Sequence, residues 1–427
     1  MGEVRPVRLN LAFWALACAF LVDFLGYAFI VPILPEWRTQ FDLSNTQATA
    51  LVSLWAVPLF LLGPFTGRLT DRYGPGRVIL ASVIMLTLAS LLYLIATREI
   101  FGNGFLILAV ARLLHGLSGA AIITSGFAAG STLWPNNFGE QVGKLVGVAT
   151  IGGLLGPAIG GFAFELGQDL AFILLAVLTG LAIPIVALAW RDIDGGKGAS
   201  REGAQAIERV PLRMFFDNPM LFRIGILVFL STLATGALEA GVPLFLSDEP
   251  LSMSVGWIGA TILLLVVLQG GGSWWWGRLV DKRGPVRYML IGWSGVSLAL
   301  IAAAVTILLN PENLGMMIIV VGFMAMFQFS VAAALVPVLP MIDTATCQAY
   351  GRGGAGLAFG AAGTVWAAGA IVGPMMIGPV LDLTGSWALT FGLLAIPCTI
   401  GLVITMLNRE ILEECYFAEM ENRSSEE

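Results

Sequence analysis

Charges are missing from long stretches of this chain, and the polar residues gather in short breaks between apolar runs. One helix needs about twenty mostly apolar residues to cross a bilayer. Runs of that kind predict helices near 9–34, 48–67, 78–97, 104–133, 143–166 and 169–190, then 220–246, 254–276, 287–309, 314–342, 353–381 and 385–407. The polar segment from Arg191 to Pro219 is the one long hydrophilic linker, and it divides the runs six and six. The expected organisation is a bundle over 1–190, a linker over 191–219, a second bundle over 220–407 and a tail over 408–427.

Composition supports the bilayer reading. Of 427 residues, 57% are hydrophobic and 12% charged, and the mean hydropathy is +0.87. A soluble protein of this size carries far more polar surface. Much of the net charge of −6 comes from the acidic end, Glu410–Glu427, which reads as a solvated or trafficking segment. No basic patch with interleaved aromatics points to nucleic acid. Cys18, Cys347, Cys398 and Cys415 have no paired spacing, so neither a disulfide framework nor a metal site is indicated. One histidine and unpaired cysteines supply no nucleophile with its base, which argues against an enzyme. No GxxxxGK[ST] phosphate loop occurs, so no nucleotide is expected as an energy source. Met1–Asn10 is short and charged, and the run after it is too long for a cleaved signal peptide, so it reads as a retained span.

Lysine and arginine set the expected orientation. With the N-terminus inside, nearly every basic residue falls inside, including Arg191, Lys197, Arg201, Arg209 and Arg213 of the linker. The exceptions are Arg38 and Arg98 in outside loops and Arg112 within the fourth helix. The sequon Asn422-Arg423-Ser424 then stays on the inside, unglycosylated.

Two internal repeats define the architecture. GRLTDRYGPGR (Gly67 to Arg77) follows the second helix, and GRLVDKRGPVR (Gly277 to Arg287) follows the eighth. The fifth helix carries Gly143, Gly152, Gly156, Pro157, Gly160 and Gly161; the eleventh carries Gly360, Gly369, Gly373, Pro374 and Gly378. The near-constant offset makes the halves parallel repeats, an arrangement that places a solute path at their interface.

On these residues the chain resembles the major facilitator superfamily along essentially its whole length. Within it, the chain looks like the twelve-helix drug:proton antiporters, including the vesicular amine transporter branch. The segment Gly67–Arg77 matches the superfamily's loop signature, and Arg112-Leu113-Leu114-His115-Gly116 matches its fourth-helix motif, with His115 where Gln is usual. The glycines from Gly143 to Gly161 match the antiporter motif, and Leu25-Gly26 with Pro32-Ile33-Leu34-Pro35 matches a first-helix motif of the drug antiporters. The resemblance implies an all-α membrane protein of two pseudo-symmetric six-helix bundles. It further implies a monomer in a plasma, vacuolar or vesicular membrane that exchanges protons for small organic, cationic or amphipathic compounds. On this resemblance the proton gradient would be the energy source, with no cofactor expected. A proton symporter, a uniporter and a transporter-like solute sensor are the alternatives.

Asp71, Arg72, Gly74 and Arg77, echoed by Asp281 and Lys282, read as a latch on the inside, Asp71 meeting the positive end of a helix, with a solvated charged loop as the alternative. The glycine face of the fifth helix, with Pro157, and its counterpart at Gly373 and Pro374 read equally as ordinary close packing and as a sliding outer seal. Ionisable residues inside spans are costly and mark function: here Asp23, Arg112, His115 and Glu239. Asp23 shares a helix face with Phe20, Tyr27 and Ile30, where charge pairing and cation–π attraction suit an organic cation. A proton and that cation would compete for one carboxylate, which by itself yields exchange. Arg112 would tune Asp23, or the two would form a buried structural ion pair. His115 reads as a polar interhelical contact or a proton carrier. Glu239 would be a second acidic site, with Trp55, Phe327 and Trp366 as candidate walls. The tenth helix has Gln328 but no acid, where vesicular amine transporters usually carry a third carboxylate.

Overall fold

A computed structural model describes residues 8–99, 102–134, 137–195, 216–309, 312–338, 341–342, 345–346, 355–414 and 417. The first half holds α1 (Leu9–Phe29), a short α2 (Leu34–Gln40), α3 (Asn45–Tyr73), α4 (Pro75–Thr97), α5 (Gly104–Leu133), α6 (Phe138–Leu166) and α7 (Gln168–Ile193). The second holds α8 (Pro219–Ser247), α9 (Val255–Arg283), α10 (Val286–Leu309), α11 (Leu314–Leu335), α12 (Ala355–Thr384) and α13 (Trp387–Leu407). Among the described residues there are twelve spans long and apolar enough to cross a membrane.

The spans match the apolar runs, and the differences have local causes. The first run does not continue as one helix to residue 34. It passes through a 3-10 turn at Val31–Ile33 into α2, because Pro32 and Pro35 each withdraw a backbone N–H. The segment read as a loop from Gly67 is mostly helix: α3 continues to Tyr73. Gly74 alone makes the turn, at φ +89°, a conformation that favours glycine. Pro75 then opens α4, where its missing N–H costs nothing. The repeat behaves likewise, with α9 running to Arg283 and Gly284 at φ +82°. The run expected over 314–342 ends as a regular helix at Leu335. Most of the linker (196–215) and the tail beyond 417 lie outside the described residues.

The chain folds into two compact units. The first contains Met1–Leu43, Leu54–Gln205 and Met253–Leu263; the second contains Ser44–Ser53, Ala206–Ser252 and Leu264–Glu427.

In the first unit, glycines let α6 lie directly on the α1 backbone. A Cβ on Gly156 would sit 2.7 Å from the Leu25 carbonyl oxygen and 2.8 Å from Ala28 Cβ, and one on Gly152 or Gly160 would strike the carbonyls of Leu21 and Phe29. Small residues at this spacing permit such approach. Gly161, on a neighbouring face, meets the Val255 carbonyl at the start of α9. There Glu165 accepts a hydrogen bond from the Gly256 N–H at 2.9 Å, using a donor the helix start leaves open.

At another end of this unit Arg8 binds Asp192 through its main-chain N–H at 3.1 Å and its guanidinium at 3.0 Å. Asp194 accepts the Gly76 N–H at 2.7 Å, capping α4. Burial pushes the Asp194 carboxyl above its ordinary value, while that hydrogen bond and the Arg77 charge oppose the shift.

The second unit repeats the device. Gly369 and Gly373 press on the α8 backbone at Phe229 and Leu233, and Gly378 lies against Asn45 and Thr46 at the start of α3. Asp382 accepts the Asn45 N–H at 2.8 Å, the Asn45 side chain at 2.9 Å and the Thr46 N–H at 2.9 Å. Pro157 and Pro374 both lie inside their helices, as the repeat requires.

Candidate functional site

The polar centre of the first unit is built on α1, α4 and α5. Asp23 of α1 is fully buried, and neither carboxylate oxygen has a hydrogen-bond partner among the described residues. A charge without partners in such a place is penalised by several kcal/mol, on the order of the effective desolvation of one ion. An enclosed carboxyl of this kind therefore holds a proton or takes up a cation. Gly119 of α5 makes room for it, since a Cβ there would lie 2.9 Å from Asp23 Oδ2.

His115, one turn before Gly119, is the neighbour best placed to meet Asp23. Its Nε2 is 3.2 Å from the Asp23 main-chain oxygen and 3.6 Å from Oδ1. Its Nδ1 lies 3.5 Å from the Tyr93 hydroxyl of α4. Both His115 and Tyr93 are buried.

Arg112 sits one turn earlier on α5, with its guanidinium carbon 5.3 Å from the Tyr27 ring centroid. Tyr27 packs on Trp55 of α3 at 4.2 Å between centroids. The cation–π face offered by Tyr27 is thus already taken by an arginine of the same unit, rather than left open beside Asp23. Phe20, the other aromatic on that face, stacks on Phe127 at 6.1 Å.

The remaining predicted residues lie elsewhere. Glu239 is half-buried on α8, four residues before Pro243, so it belongs to the second unit. Phe327 is fully buried in that unit, whereas Trp366 is 37% exposed and forms no part of its core. Gln328 is buried on α11 with Oε1 unpartnered among the described residues. Asp71 is exposed on the last turns of α3, Arg72 rests on the Tyr73 ring at 5.2 Å, and Arg77 packs over Trp190 at 5.0 Å. The side chain of Asp281 lies outside the described ones. Sequence reasoning missed Tyr93 and Gly119. Gly119 follows Arg112 and His115 at seven and four residues, which places all three on one helix face.

A family model described as Major Facilitator Superfamily matches residues 16–374. The chain belongs to the major facilitator superfamily. Among curated relatives, Multidrug resistance protein 2 of Bacillus subtilis (strain 168) is 26% identical, covering 91% of this chain and 93% of that one. The Homo sapiens MFS-type transporter SLC18B1 is 23% identical, covering 87% and 82%. Among solved structures, a D-xylose-proton symporter superposes with a TM-score of 0.69 at 15% identity, covering 92% of this chain and 97% of that one. This last likeness concerns fold alone. As a superfamily member the chain is a multi-pass membrane transporter of small solutes.

Proposed function

We propose that this transporter is a proton-coupled antiporter for small organic, cationic or amphipathic compounds, with Asp23 as the site that proton and substrate share. The observation that carries the reading is the Asp23 carboxyl, fully buried with both oxygens unpartnered among the described residues. A proton or a positive guest neutralises a group so placed. If the two exclude each other, exchange follows without further machinery. Glu239 is the second acidic site, on the helix that opens the other sequence half.

Export of such compounds is supported by relatives named for multidrug resistance. In this account both termini face the cytosol, the proton gradient supplies the energy, and the Asp71 segment latches the inner side during alternating access of the two six-helix halves. The test is proton release from acid-loaded proteoliposomes on adding a panel of lipophilic cations outside. Release that requires Asp23 supports antiport. Solute entry that carries protons inward with it supports symport instead.

A further inference from the structure

We propose that His115 is the positioning residue of the Asp23 site: its Nε2–H rests on the Asp23 main-chain carbonyl, within a small tilt of the Asp23 carboxylate, and Tyr93 holds the ring in the tautomer that allows this. The proposal rests on the antiport reading of Asp23 and deepens it.

The geometry assigns the proton positions. Nε2 faces two acceptors of the same residue, at 3.2 Å and 3.6 Å, so it is the nitrogen that carries hydrogen. Nδ1 faces a hydroxyl at 3.5 Å, which donates to it. A neutral imidazole has one donor and one acceptor nitrogen, and here each has its complement. The ring is clamped on a further side by Gly26, where a Cβ would sit 3.1 Å from Cε1. It can therefore tilt between the two oxygens of Asp23 but has little room to leave them.

That tilt is the proposed action. With the Asp23 carboxyl protonated, the imidazole donor rests on the main-chain carbonyl. When the carboxyl gives its proton to water, the donor moves onto Oδ1 and stabilises the charge until a cation arrives or the proton returns. The imidazole keeps its own single proton throughout, so His115 carries no proton between compartments. The charged and titratable groups around it are Asp23 and Tyr27 from α1, Tyr93 from α4 and Arg112 from α5 itself; at this level α3 brings Trp55 and α7 brings Leu175.

The experiment uses the full chain in acid-loaded proteoliposomes, with tetraphenylphosphonium as the probe and external pH varied. A glutamine reproduces one donor and one acceptor, whereas alanine reproduces neither. We expect His115→Gln to keep the pH profile of probe-driven proton release. His115→Ala should move its midpoint to higher pH by about one unit, the loss of one hydrogen bond to a charged acceptor. Tyr93→Phe should move it the same way by less, and it carries the test if the alanine variant does not assemble. A glutamine variant that behaves like alanine would show that a neutral donor and acceptor do not suffice there and overturn the proposal. So would an unshifted profile in both His115→Ala and Tyr93→Phe. Release that persists in Asp23→Asn would overturn the assignment of Asp23 as the shared site, an outcome distinct from a silent Asp23→Asn with unshifted histidine variants.

Discussion

Two glycines in neighbouring turns of α6 should respond in opposite directions to the same added methyl. At Gly156 the new Cβ would lie 2.7 Å from the Leu25 oxygen, 2.8 Å from Ala28 Cβ and 3.0 Å from the Phe29 nitrogen. Carbon contacts are comfortable at about 3.5 Å, so one helix must retreat by roughly 0.8 Å. None of the three atoms is the far end of a flexible side chain, so the strain is not relieved by a rotamer change. Overpacking of this kind destabilises by about 1–3 kcal/mol. In a unit of this size that corresponds to a fall in Tm of roughly 4–8 °C for about 2 kcal/mol. Gly153, three residues away, has nothing within 4 Å of its Cβ position. Alanine there only restricts the unfolded backbone and should stabilise by about 0.5–1 kcal/mol. Thermal unfolding of purified Gly156→Ala and Gly153→Ala in one detergent reads both effects, with Gly373→Ala and Gly363→Ala as the matching pair of the second unit. Equal losses at Gly153 and Gly156 would refute the close-packing argument.

Three further outcomes are expected. Glu165→Gln and Asp382→Asn each weaken a charge-assisted cap, and each should lower stability by about 1–2 kcal/mol in the same assay; the Asp382 change should be the larger, since that carboxylate accepts three hydrogen bonds and Glu165 one. Asp194 has its carboxyl raised above 3.8 by burial. A raised carboxyl favours the fold fully below its unfolded value, and that benefit is lost as pH climbs through the folded one. Wild type should therefore lose Tm relative to Asp194→Asn as pH rises from about 4; a gap independent of pH would contradict the burial argument. Gly119→Ala should impair proton-coupled exchange about tenfold or more, through its 2.9 Å approach to Asp23 Oδ2, while leaving the helix content seen by circular dichroism unchanged.

Much of this molecule is legible in its sequence because the bilayer imposes one rule on every span. A helix that is apolar over about twenty residues has no other stable home, so the runs, their number and the glycine repeats read directly onto α1 to α13. The turn at Gly74 was legible in kind but misplaced in extent, since Gly67–Tyr73 carries enough helix formers to continue α3 until the first glycine at positive φ. The clustering of Asp23, Arg112 and His115 follows from costly residues on two helices that must meet somewhere. What does not follow is which of them touches Asp23. Charge alone nominates Arg112, whose guanidinium packs on Tyr27, and gives no sign that the imidazole fits between Gly26, Asp23 and Tyr93. Tyr93 is one hydroxyl in a long apolar run, and only its neighbours across α4 and α5 give it a role. The carboxylate caps at Glu165 and Asp382 were invisible for a similar reason. Each lies near a helix end, where an acid reads as an ordinary surface charge until its partner N–H is known.

The most direct test of the central claim is proton movement through a single carboxyl. Wild-type protein and Asp23→Asn, reconstituted in acid-loaded proteoliposomes, are compared for release of internal protons when a lipophilic cation is added outside. The account predicts release in wild type and none in Asp23→Asn, with the variant still folded by thermal unfolding. Undiminished release from Asp23→Asn would show that coupling runs through another group and would contradict the account.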